Sequence, residues 1–128
     1  MIHPYRVLIT GSREWTDEAA IHGALADLPT DRTLVIVHGD CFKGADAIAK
    51  AWAFNRAFLG DDVIEEAHPA NWRPGGNLDR SAGFRRNAEM VQLGADLCLA
   101  FIRNGSRGAT HTADLAEKAG IPTRRFTA

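Results

Sequence analysis

Four short stretches of this chain hold residue types that can grip a charged small molecule. The segment "RNGSRGATHTADLAEKAG" (Arg103–Gly120) sets Gly105 and Gly108 beside Ser106, Thr110 and Thr112, just ahead of an alanine-rich helical pattern. Glycines there permit positive φ angles. The first amides of the following helix have no intrahelical acceptor, so they offer N–H donors and a positive dipole end to an anion. One such terminus contributes roughly 0.3–1 kcal/mol to an exposed anion. Alone it would hold phosphate weakly; two or three converging loops with an arginine would hold a nucleotide.

The other three stretches carry related chemistry. In "GSREW", Gly11 allows close backbone approach, Ser12 brings a hydroxyl and Arg13 a planar donor fork suited to phosphate. In "HGDCFKGADAIAKAWA", Gly39 and Gly44 flank a loop that contains Lys43, and Asp46 falls in the first turn of the next helix. No Lys-Ser/Thr pair follows the second glycine, which argues against a P-loop NTPase. The helix start is still an anion site unless Asp46 caps it itself. "HPANWRPGGNLDRSAGFRRN" is long for a connection in a compact domain, and long ordered loops are commonly functional. Within it Trp72 either stacks on a base or is buried under the loop, and Arg80, Arg85, Arg86 and Asn87 supply polar groups. His68 is either a general base or an ordinary hydrogen-bonded loop residue. Cys41 reads as a packed thiol and Cys98 as core. Were the site catalytic, Asp46, Asp40 and Asp114 would be the acids available.

These stretches gain meaning from the elements that must position them. Five apolar runs, Tyr5–Thr10, Thr33–His38, Asp62–Ala67, Asp96–Ile102 and Pro122–Phe126, alternate with four helical patterns. The second and fourth runs are nearly continuous in apolar residues, as strands buried on both faces should be. "DVIEEA" and "PTRRF" are weaker and fit sheet edges. Ala20, Ile21, Ala24, Leu25 and Leu28 form one helical stripe behind a Thr16-Asp17-Glu18 start. Ile48, Ala49 and Trp52 mark a second helix, and Phe84, Ala88 and Val91 a third that stops near Gly94. Thr112, Leu115, Ala116 and Ala119 mark a fourth, ended by Gly120 and Pro122. Such alternation means parallel pairing with right-handed crossovers. The expected fold class is α/β: a Rossmann-like three-layer sandwich with a five-stranded, mainly parallel sheet ordered 3-2-1-4-5. Ligands then bind beyond the carboxyl ends of the strands, near the switch point between the first and fourth. All four stretches lie in strand-to-helix loops, on that side.

Composition bounds the rest. A chain of 128 residues is expected to form one domain. A formal net charge of −1 gives no global reason to expect nucleic acid or an anionic membrane as partner. Two distant cysteines make neither a disulfide framework nor a zinc pattern, and no metal or cofactor is expected. The N-terminal "MIHPYRVLIT" lacks a signal-peptide apolar region, and no run reaches membrane-spanning length, so a cytoplasmic location is expected.

In chain order, "GSR", "HGDCFKGADAIAKAWA", "HPANWRPGGNLDRSAGFRRNAEMV", "GADLCLAF" and "GSRGATHTADLAEKAGIP" span nearly the whole chain. Together they resemble the YspA-type, YpsA-related branch of the SLOG superfamily. That superfamily also holds the LOG phosphoribohydrolases, the DNA-processing protein DprA and ligand-sensing domains of prokaryotic defence systems, and this branch occurs in bacterial and phage genomes. The resemblance implies a Rossmann-like domain binding a nucleotide or nucleotide-derived ligand in a cleft at the carboxyl edge of the sheet. The ligand residues it implies are Gly11, Ser12, Arg13, Gly39, Gly44, Asp46, Arg86, Asn87, Gly105, Ser106, Gly108 and Thr110. Lys43 and Trp72, in the same loops, complete the candidate set.

One departure matters. The LOG hydrolases carry PGGxGTxxE, whose glutamate assists cleavage of the N-glycosidic bond. In "GSRGATHTADL" that place holds Thr112, or Ala113 if Thr110 is aligned with the motif threonine. Asp114 is off by one or two positions, which swings it roughly 100–200° around a helix. The "PGG" at Pro74–Gly76 sits in another loop. Without an aimed carboxylate, water activation and oxocarbenium stabilisation lose their obvious agent. The first expectation is therefore a sensor or sequestering domain for a nucleotide-like molecule. The alternative is an N-glycosidic hydrolase or transferase; a DprA-like nucleic-acid role sits poorly with the near-neutral charge. A homodimer is the oligomeric state the resemblance implies.

Overall fold

Val7, Leu8 and Ile9 are consecutive and all fully buried, so their strand must be covered on both faces. In the computed structural model, which describes residues 2–128, that strand is β1 (Tyr5–Gly11), third of five in the order β3-β2-β1-β4-β5. β2 (Leu34–His38) and β4 (Leu97–Ile102) flank it, and β3 (Val63–Ala67) and β5 (Thr123–Thr127) close the edges. All four pairings are parallel. The expected α/β class, three-layer architecture and strand order are those observed. The two strands with weak apolar patterns are the two edges, where one side needs no neighbour.

α1 (Glu18–Ala26) and α2 (Ala45–Phe58) cover one face; α3 (Ala82–Leu93) and α4 (Arg107–Lys118) cover the other. Ile21, Leu25, Ala49 and Ala53 pack on Val7, Ile9, Ile36 and Phe101. Met90, Val91 and Ala116 pack on Leu8, Val35, Val37 and Cys98. Asp17 caps α1 as its sequence suggests, its Oδ1 accepting the Ala20 N–H at 3.1 Å. Among the described residues no helix is long and apolar enough to cross a membrane.

The inward faces differ in three places. Phe84 and Ala88 are exposed; α3 instead buries Ala82, Asn87, Met90 and Val91. Asn87, a polar residue, occupies an inward position because that end of the helix faces a cleft rather than dry core. Phe84 meets His111 of α4 edge-on, ring centroids 4.8 Å apart. Leu28 is buried but lies beyond α1, in the turn after the Asp27 cap, and Ala119 is the exposed cap of α4.

Candidate functional site

Beyond the carboxyl ends of β1 and β4, a cleft of about 410 Å³ opens between those strands and the starts of α2, α3 and α4. This is the switch point of the sheet, where the crossover direction reverses, and the volume lies within the roughly 300–1,000 Å³ of small-molecule pockets. Gly11, Ser12, Arg13, Gly39, Asp46, Trp72, Arg86, Asn87, Ser106 and Gly108 all line it.

Close packing of backbone assembles these loops. A Cβ on Gly11 would overlap that of Ala45 and come within 2.9 Å of the Phe101 carbonyl, so only glycine lets β1, β4 and α2 meet there. Gly44, with φ 78°, sits against the Ser12 carbonyl, which also accepts the Ala45 N–H at 3.3 Å. The buried Ser12 hydroxyl accepts the Arg103 N–H at 2.8 Å and donates to the Arg103 carbonyl at 3.3 Å. Ser12 is therefore a tie between the loops after β1 and β4. Its polar atoms are spent on the frame of the cleft, although the residue lines it.

Arginines dominate the electrostatics. Arg86 donates through Nη1 to the carbonyls of Gly39 and His68 and through Nε to Asn87 Oδ1 at 2.7 Å. The fork is thus held by two backbone carbonyls and the Asn87 side chain, on a residue that lines the cleft. Arg13 lies over the Trp72 ring, 5.9 Å from its centroid. Arg80 and Arg103 add two further guanidinium groups to the wall. Arg103 is braced by the Glu14 carbonyl at 2.9 Å. The Ser106 cap of α4 makes no side-chain hydrogen bond, and the helix's first backbone donor to bond back is Thr110, to Ser106 at 3.1 Å. The amides of Arg107, Gly108 and Ala109 precede it, and the last two residues line the cleft.

Asp46 is the one buried carboxyl on the cleft wall. Burial raises its pKa above the ordinary 3.8, against the opposing pull of His38, Arg86 and the Cys41 amide. That amide donates to Oδ2 at 3.3 Å. The Cys41 thiol is itself pushed up, first by burial and then by the Asp46 charge, so it is a poor nucleophile.

Other candidates lie elsewhere. Lys43 points away to Glu14, at 3.1 Å. Gly44, Gly105 and Thr110 shape the loops without lining the cleft, and Gly108 does not take a positive φ because it already belongs to the first turn of α4. Asp40 is paired with Lys50 at 2.9 Å. Asp114 is exposed and paired with Arg125 at 2.8 Å, while Thr112 and Ala113 face inward. Helix phase thus places Asp114 outside the cleft wall. Trp72 is 39% exposed, with its ring against Gly83 of α3 and Arg13. Arg85 turns outward to Asp79. His68 bonds Glu66 at 2.8 Å and stays outside the wall.

Nearby, His38, Asp40 and Glu65 bring donor atoms within 4.8 Å of one another. The His38 ring is already engaged at both nitrogens. Nδ1 accepts the Asp40 N–H at 2.9 Å, which leaves Nε2–H to donate to Glu65 at 2.8 Å. Lys50 balances the two carboxylates.

Sequence reasoning missed Arg103 as a wall residue. Its position directly after β4, next to the switch point, was the available signal.

A family model described as the YspA, cpYpsA-related SLOG family matches residues 5–75. The Gene 61 protein of Mycobacterium phage D29 is 46% identical over 123 residues, covering 94% of this chain and 95% of that protein. No solved structure matches.

Proposed function

The chain belongs to the YspA, cpYpsA-related SLOG family, and from that premise we propose that it captures a nucleotide or nucleotide-derived molecule, as a sensor or sequestering domain. The observation that carries this reading is the convergence of Arg13, Arg80, Arg86 and Arg103 on one cleft that also receives the uncapped start of α4. Phosphate would sit against Arg86 and the amides at Gly108 and Ala109, with the base or ribose towards Trp72 and Asn87. A single helix terminus is too weak for this role, and rigid guanidinium forks supply the remainder.

One observation favours a second reading. Asp46 is a buried carboxyl with a raised pKa on the wall of the cleft, a combination suited to a general acid acting on an N-glycosidic bond. The two readings separate in one experiment. The protein is incubated with nucleoside mono- and diphosphates and with NAD, and melting temperature and released base are both recorded. A raised melting temperature without base release supports capture. Base release that Asp46→Asn abolishes supports the enzyme. If none of these compounds shifts the melting temperature or is cleaved, the site assignment fails.

A further inference from the structure

A second cavity of about 460 Å³ adjoins the first, and the two share one wall: Arg13, Gly39, Cys41, Trp72 and Arg86. Within that wall Arg13 lies over the Trp72 ring, a contact that joins the loop after β1 to the loop after β3. Beyond the shared wall, each chamber adds side chains of its own. The inner one presents two buried polar side chains, Asp46 and Asn87. Asn87 spends its oxygen on Arg86, so its amide N–H groups are free to donate. The outer chamber presents Phe42, Pro69, Ala70 and the indole. Phe42 is 85% exposed, which core packing does not explain. The outer chamber's carboxylate, Asp40, is already neutralised by Lys50. Both arginines of the shared wall therefore have Asp46 and Asn87 on one side and Phe42 on the other.

We propose that the two chambers hold one bipartite ligand: two nucleosides joined through a pyrophosphate, with one phosphate against Arg86 and the amides at Gly108 and Ala109 and the other on Arg13. The inner nucleoside meets Asp46 and Asn87 through its hydroxyls and base edge. The outer base stacks on Trp72 and Phe42, displacing Arg13 from the ring and freeing its guanidinium for the bridging phosphates. This rests on the nucleotide reading of the inner cleft and adds the class of ligand, a dinucleotide rather than a mononucleotide.

Isothermal titration with AMP, ADP and diadenosine pyrophosphate, repeated with the guanine series, tests it. Phe42→Ala is the informative variant, because Phe42 lines only the outer chamber and its exposure makes the change harmless to folding. One extra stacked base corresponds to about tenfold in affinity. The dinucleotide is expected to bind about tenfold more tightly than the diphosphate, and Phe42→Ala to erase that margin while leaving the diphosphate unchanged. Equal affinity for diphosphate and dinucleotide, or a margin that survives Phe42→Ala, overturns the dinucleotide assignment and leaves the mononucleotide reading standing. Absence of binding by every probe overturns both.

Discussion

Arg86 reaches back 47 residues along the chain to hydrogen-bond the carbonyl of Gly39, and Gly39 has no side chain because the guanidinium fills that space. A Cβ there would lie 2.6 Å from Nη1 and 2.7 Å from Cζ. The pair fixes where the Arg86 guanidinium lies.

Gly39→Ala should therefore reproduce the binding defect of Arg86→Ala. Gly39 does not need a positive φ, so the methyl adds no backbone strain, and its effect is to push the guanidinium aside. Each single variant should lower the ADP-induced rise in melting temperature, and the double variant should be no worse than Arg86→Ala alone. Additive losses in that cycle would show that the two positions act separately.

Gly44 and Gly108 should respond oppositely to the same substitution. Alanine at Gly44 meets the Ser12 carbonyl and takes a φ of 78°, so a loss of about 2 kcal/mol or more is expected in urea unfolding. Gly108 has helical geometry and open space around its would-be Cβ. Alanine there should leave stability unchanged or raise it by up to about 1 kcal/mol. Valine at Gly108 should spare the fold while crowding the cleft, which a reduced ligand-induced melting shift would reveal.

Asp46→Asn should stabilise the free protein at neutral pH. The folded state binds the Asp46 proton more tightly than the unfolded chain does. The stability linked to this group is therefore fully present below about pH 3.8 and is lost as pH rises through the folded value. Melting curves should show the variant above wild type at pH 7 and the gap closing at about pH 4. Asp114→Asn, which removes only an exposed pair with Arg125, should change stability by less than about 1 kcal/mol.

Glu66 should behave with the opposite sign. Arg6 grips it with two hydrogen bonds at 2.8 and 2.9 Å, and His68 adds a third, which holds its pKa near 2 instead of 4.5. Its contribution is present above pH 4.5 and is lost as pH falls towards 2. Glu66→Gln should flatten the acid limb of the stability curve in that window. An unchanged limb would place the acid sensitivity elsewhere.

The fold was legible because β2 and β4 are nearly continuous apolar runs, and because chemistry-bearing residues crowd the strand-to-helix loops. The position of a cleft at the switch point follows from strand order alone. Contacts between distant loops were not legible. No local pattern announces that the Ser12 hydroxyl is consumed by Arg103, or that Gly39 is small to admit Arg86. The phase of α3 was misread from its apolar residues, since Asn87 turns inward to a polar space that only the assembled sheet creates. Asp114 shows the converse: its offset from the glutamate position was readable as a helical rotation, and α4 does turn it outward to Arg125.

The Ser12–Arg103 tie also bears on the order in which the molecule is made. These partners are 91 positions apart, and β1 lacks its β4 neighbour until more than three-quarters of the chain has been synthesised. A ribosome-bound fragment that ends before β4 can pair β1 with β2 and β2 with β3, yet it has neither the far wall of the cleft nor the start of α4. The complete cleft thus belongs to the finished polypeptide, and a nascent chain, however well begun, has only part of its wall.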